Sequence, residues 1–364
     1  MPHSPDGSVP ASGNVSGGFA LRTGSRHTLV VHTSPPEIVG PAERTLWIVH
    51  VPTQGFAPVM PELPGFHLRL PNANDASRLR CMWRATLTYV TRARADRSFS
   101  TEVVWEGTSS GAALPPDFLR RTPGNIVRGR SSGGATTTAV AGGDLRVTAS
   151  VELNGQTVVA TLSGYRILGR DNPPSDAVVR RLATLVSARD ASWLVRISCK
   201  ESGRRQFHPA GTRSEPRRHR FEGEPVMNYT GDGGAGLMQI TNPRPGPAEL
   251  WDWRINVDRA QAVYAEKARV VTGYVRRVRA KVREMYGDRV VVPDLTADQF
   301  IEDVVRGFNG FPGRDNLGLL GSHEFRICIS GSPPIAVWER VPVADRPRAG
   351  DPNYVALVRD VRCP

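Results

Sequence analysis

Cys199-Lys200-Glu201-Ser202-Gly203, read with Gly233-Gly234-Ala235-Gly236-Leu237-Met238-Gln239-Ile240 and Gly307-Phe308-Asn309-Gly310, decides how this chain is understood. The first stretch closes an amphipathic run. Trp193, Leu194, Ile197 and Cys199 share one face at helical spacing, so Glu201 falls in the last turn of a buried helix. Lys200 and the arginines that follow are the nearby charges that could neutralise it. A carboxyl group at the edge of a core loses water, which raises its pKa and keeps it protonated near neutrality. A general acid for glycosidic cleavage needs that state. The alternative is a solvated glutamate at a helix end.

The second stretch reads as a glycine-rich loop entering a short buried turn, with backbone free to approach a ligand or another segment. Gln239 carries both an amide donor and an acceptor, which suits a sugar acetamide. Glu201-Ser202, then Gly236 to Gln239, then Asn256 in Arg254-Ile255-Asn256-Val257, then Gly307-Phe308-Asn309, in that order, resembles the lytic transglycosylases of lysozyme-like fold. The resemblance spans roughly residues 175–364, and its Gly-Leu-Met-Gln element is the most specific part. It implies cleavage of the β-1,4 bond between N-acetylmuramic acid and N-acetylglucosamine with closure of a 1,6-anhydro ring. Glu201 is then the catalytic residue, and Ser202 orients it by a hydrogen bond. Ser202, Gly236, Leu237, Met238, Gln239, Phe308 and Asn309 would line the substrate. No metal, nucleotide or other cofactor is implied. A lysozyme-type hydrolase on the same fold is the nearest rival; it needs a second carboxylate, with Asp232 first and Glu222 and Glu224 behind it. A structural or wall-binding piece of a phage tail or injection apparatus is the third reading. Two departures stand out. Phe308 occupies the place where the family carries Tyr, and a basic insert, Arg204 to Arg220, lengthens the stretch between Glu201 and Gly236.

The chain has 364 residues and a net charge of +12, with arginine far outnumbering lysine. Such a balance favours an anionic partner: nucleic acid, a membrane surface, or a wall polymer. No nucleic-acid motif accompanies the scattered arginines, so nucleic acid is the minority reading; the resemblance implies peptidoglycan strands as the partner, and the basic charge fits them. Cys81, Cys199, Cys328 and Cys363 have no metal-ligand spacing. Cys328 and Cys363 could pair in an oxidising compartment; buried thiols are the other reading. No apolar run approaches the length of a membrane span. Met1 to Gly7 lacks a basic region followed by an apolar one, so no secretory signal is expected. Action at the periplasmic wall then implies delivery by a holin, a phage particle or a contractile injection machine.

Residues 1–40 read as a flexible Ser/Gly/Pro-rich segment. Residues 41–170 read as an all-β sandwich of immunoglobulin-like kind, serving attachment or spacing. Leu46 to Val51, Cys81 to Thr91 and Phe99 to Trp105 are predicted strands, and Asn154-Gly155 a hairpin turn. Trp47, Trp83, Tyr89 and Trp105 are expected in its core. Residues 175–364 read as a mainly α, lysozyme-like domain. Its elements are a helix capped by Ser175, a long helix from about Asn256 to Tyr286, another started by Thr296, and a last one near Tyr354 to Val358.

Overall fold

Alternation along Arg80–Val90 turns Cys81, Trp83, Ala85, Leu87 and Tyr89 to one side, and all five are buried. This strand is the middle of the principal sheet in a computed structural model of the chain. The structure describes residues 35–70, 79–91, 98–120, 126–128, 140–153, 155–210, 213–214, 219–220, 222–228, 231–310, 322–328, 334–346 and 349–363. Asn154 of the hairpin and most of the proposed N-terminal tail lie outside them.

The strands are β1 (Glu37–Val39), β2 (Thr45–Val51), β3 (Ala57–Val59), β4 (His67–Arg69), β5 (Arg80–Val90), β6 (Ser100–Ser110), β7 (Ile126–Arg128), β8 (Gly143–Leu153) and β9 (Gln156–Gly169). Seven of them form one sheet in the order β3-β2-β9-β8-β5-β6-β7. The pairings are antiparallel except that β2 runs parallel to β9, from Thr45 opposite Arg166 to Ile48 opposite Gly169.

The expected immunoglobulin-like sandwich followed by a separate, mainly α lysozyme-like domain is therefore overturned. Seven of the strands make one curled, mixed sheet, and the described residues are 30% strand and 37% helix. A sandwich hides its apolar face under a second sheet. Here the small β1–β4 pair covers part of that face, and residues from beyond the helix that ends at Ser202 cover more. Phe207, Met227, Ala235, Leu250 and Trp251 belong to the same core as Trp83, Trp105 and Tyr165. Trp251 meets Tyr89 edge-on at 5.2 Å and Phe207 at 5.8 Å. Two glycines make room for this. A Cβ at Gly142 would lie 2.4 Å from the Trp251 ring, and one at Gly169 would lie 2.3 Å from Phe207. Residues from Pro36 onward form one compact unit. Trp83, Trp105 and Tyr89 are core residues, and Trp47 packs partly buried against that core.

The helices are α1 (Ser175–Leu185), α2 (Ala188–Ser202), α3 (Pro247–Trp251), α4 (Trp253–Tyr286), α5 (Ala297–Asn309) and α6 (Tyr354–Asp360). Pro174, not Ser175, holds the cap position of α1. Thr296 caps α5 through a reciprocal pair with Gln299. Two short strands, β10 (Arg213–Ser214) and β11 (His219–Arg220), pair within the basic insert. A hairpin of β12 (His323–Cys328) and β13 (Ile335–Arg340) follows α5. The second core gathers α1, α2, α4, α5 and α6 around Val178, Leu194, Leu237, Met238, Val304 and Val358. Trp251 and Trp253 flank Asp252 and point into different cores. The Trp253 indole also donates to the carbonyl of Phe56, beside β3. Among the described residues, no helix is long and apolar enough to cross a membrane.

Candidate functional site

Helix α2 delivers Glu201. Ser187 accepts the Asp190 N–H at its start, and Gly203, left-handed at φ 64°, returns its N–H to the Cys199 carbonyl at its end. Leu194 and Ile197 anchor the inner face, so the partly buried Glu201 sits in the last turn at the rim of the second core. Ser202 does not hydrogen-bond Glu201. Its hydroxyl lies 2.7 Å from the Leu237 carbonyl and accepts the Arg205 N–H at 3.0 Å. It thus fastens the end of α2 to the Gly-Leu-Met-Gln turn.

That turn hangs on two fully buried amides. Gln206 accepts the Leu237 N–H at 3.0 Å, and Asn256 accepts the Met238 N–H at 2.8 Å. Their amide groups in turn donate to Leu250 and Ala235 carbonyls at 2.7 and 3.1 Å. Gly236 has φ +76°, and a Cβ there would lie 2.4 Å from Asn256 Nδ2. Only glycine fits between the two amides. Leu237 and Met238 are buried in the second core and hold the turn in place. Gln239, at φ +49°, donates its amide to Gly236 and Val226 carbonyls at 2.8 and 3.2 Å. Those donors serve the turn itself. Gln206 was not expected from the sequence, since nothing but its distance from Gly236 marked it out.

Helix α5 brings Phe308 and Asn309. Phe308 packs partly buried on the second core. Asn309 accepts the Asp351 N–H at 2.5 Å, holding the segment that enters α6. The first residue of α6 is Tyr354, buried, and its hydroxyl donates to Glu201 Oε1. A phenol thus reaches Glu201 from α6, not from α5, which carries Phe308. The sequence signal was there: Tyr354, Val355 and Val358 form the apolar face of a short terminal helix.

Burial raises the Glu201 pKa, the hydrogen bond from Tyr354 and the charge of Lys200 oppose the rise, and the charge of Asp232 adds to it. Tyr354 is held in its neutral, donating form by burial and by its carboxylate neighbour. Asp232 is exposed and tied to its own loop, accepting from Gly234 N–H and the Thr241 hydroxyl, each at 3.1 Å. Glu224 is fully buried and paired with Arg166 of β9 at 2.9 Å, a link to the sheet. Arg217 and Arg218 of the basic insert lie outside the described residues.

Behind the site, α5, the β12–β13 hairpin and α6 share a set of buried charges. Glu302 pairs with Arg340 and Arg359. Asp303 accepts the Ser322 N–H at 2.7 Å and faces His323 at 3.2 Å. The cysteine pairing differs from the sequence expectation. Cys363 is bonded to Cys199, not to Cys328, while Cys81 is free and buried in the sheet. Among the described residues, no group of three or more His, Cys, Asp or Glu is placed to hold a metal ion.

Comparison with protein-family models, with curated proteins and with solved structures found no match.

Proposed function

We propose that this chain cleaves peptidoglycan glycan strands as a lytic transglycosylase, with Glu201 as its single acid and base. The observation that carries the reading is a partly buried carboxyl with a raised pKa, touched by a buried phenol and fastened through Ser202 to a Gly-Leu-Met-Gln turn. Glu201 gives its proton to the glycosidic oxygen as the bond from C1 of N-acetylmuramic acid breaks, and N-acetylglucosamine departs as an alcohol. The carboxylate then takes the proton of the muramic acid 6-hydroxyl, whose oxygen bonds to C1 and closes the 1,6-anhydro ring. The carboxyl is restored and no water is consumed. General acid–base action of this kind contributes about 10²–10⁴ in rate. The rigid turn and the end of α5 supply positioning.

The hydrolase reading keeps one observation in its favour: the Asp232 charge reaches Glu201. Mass spectrometry of products released from purified peptidoglycan separates the two. Products ending in 1,6-anhydro-muramic acid, absent with Glu201→Gln, are expected. Reducing-end products one water heavier would instead make the chain a muramidase with Asp232 as its second carboxylate. Delivery to the wall by a phage particle or a contractile injection apparatus belongs to the same proposal. The Cys199–Cys363 disulfide supports work in an oxidising compartment.

A further inference from the structure

We propose that the Cys199–Cys363 disulfide is a redox latch on the site: in its oxidised form it holds α6, and with it Tyr354, against Glu201. The inference rests on the peptidoglycan reading for its meaning, but its geometry stands apart from it. The bond joins residues separated by 164 positions. One end lies in the last turn of α2, two residues before Glu201; the other lies three residues beyond α6. The two elements that meet at the Tyr354–Glu201 hydrogen bond are thus also stapled covalently.

Helix α6 is held by three buried side chains and a few polar bonds, and the disulfide is its one covalent tie to α2. It has seven residues, too few to persist alone. Its buried face is Tyr354, Val355 and Val358. Among the described residues its polar ties include the Tyr354–Glu201 bond, the pairing of Arg359 with Glu302, an exposed bond from Arg196 to the Arg359 carbonyl at 3.2 Å, and, just ahead of it, the Asn309 contact and the bond from Arg346 to the Pro352 carbonyl at 2.9 Å. With both cysteines as thiols, only these non-covalent contacts oppose local opening of the helix, and its phenol parts from the carboxyl more often. Closing the latch oxidises two thiols to one disulfide, while a disulfide of the surrounding compartment, small-molecule or protein, accepts two electrons and two protons and leaves as two thiols. A protein made in a reducing cytoplasm would then carry an unlatched site until it reaches an oxidising compartment.

The test starts from folded, oxidised protein and compares it with the same protein treated with dithiothreitol, alongside Cys363→Ser and Tyr354→Phe. Amide hydrogen exchange is read first. Reduction and Cys363→Ser should raise exchange across residues 354–360 at least about tenfold while α4 stays protected. Unchanged protection of α6 would overturn the latch, and this readout does not depend on activity. The pH profile of muropeptide release is read second. Tyr354 stabilises the Glu201 carboxylate, so its withdrawal should move the alkaline limb to higher pH. Glu201 also faces Lys200, next to Cys199 on α2, and Asp232; neither lies on α6, the element that would move. Reduction should therefore shift the limb as Tyr354→Phe does, and Tyr354→Phe should show no further shift on reduction. A limb that stays put while activity falls, or that moves equally in both proteins, would make the disulfide merely structural. If no muropeptide is released under any condition, the peptidoglycan reading fails and hydrogen exchange alone judges the latch.

Discussion

Glu201 is poised by opposing influences, and each can be removed separately. Asp232→Asn deletes a like charge, so the Glu201 pKa should fall and the alkaline limb of the activity profile should move to lower pH. On the transglycosylase reading the plateau rate survives this change; a muramidase would lose it by orders of magnitude. The same pKa shift bears on stability. A carboxyl raised on folding costs nothing below its unfolded pKa, and its penalty grows as pH rises toward the folded value. Glu201→Gln should therefore be more stable than the native chain at neutral pH, and the difference should vanish in acid, as read by urea unfolding at the two pH values. Gly236→Ala should do the opposite at any pH. A methyl at φ +76°, 2.4 Å from Asn256 Nδ2, must break the amide cradle, at about 2–4 kcal/mol in the same assay. Glu201 and Gly236 were both legible in the sequence, because their neighbours in the chain define their surroundings. The pairings of Tyr354 with Glu201 and of Gln206 with Leu237 were not, since each joins residues far apart in the chain.

Among the elements, α2 and α5 were read correctly because helical periodicity and capping are local. Glu201 falls in the last turn of α2, and Thr296 opens α5. The sheet was read strand by strand and then assembled wrongly. Alternation shows which face of β5 is apolar, but it does not say what covers that face or that β2 lies parallel to β9. The cover includes Trp251, at the end of a five-residue helix. Trp251→Ala should cost about 3–5 kcal/mol and loosen the sheet from the segment that carries Glu249 and Leu250. Those two carbonyls accept from Gln206, so the cradle of the turn should weaken with it. Denaturant unfolding, with hydrogen exchange at Leu237 and Met238, checks both effects. An intact turn after loss of Trp251 would show that the sheet and the site are energetically separate.

For the whole molecule the dominant quantity is charge. At +12, attraction to an anionic polymer, such as the peptidoglycan proposed above, is long-ranged at low ionic strength and screened beyond about 8–10 Å near physiological salt. Cosedimentation with purified peptidoglycan should weaken steadily from low to high salt. Glu201→Gln should follow the same curve, because one carboxyl contributes little to a net charge of +12. Salt-independent binding would mean that contacts to neutral sugar dominate.

The sequence by itself determined the properties that depend on neighbours along the chain. These are the helix ending at Glu201, the glycine turn through Gln239, the strand faces, the buried tryptophans and the basic charge. Tertiary structure alone decided which distant residues meet. It made one curled mixed sheet in place of a sandwich, set Trp251 against Tyr89, brought Tyr354 to Glu201, and joined Cys363 to Cys199. The physical reason is common to all four. Apolar periodicity specifies that a face must be covered, and hydrogen-bonding capacity specifies that a group must be paired. Neither names the partner until the whole chain has packed.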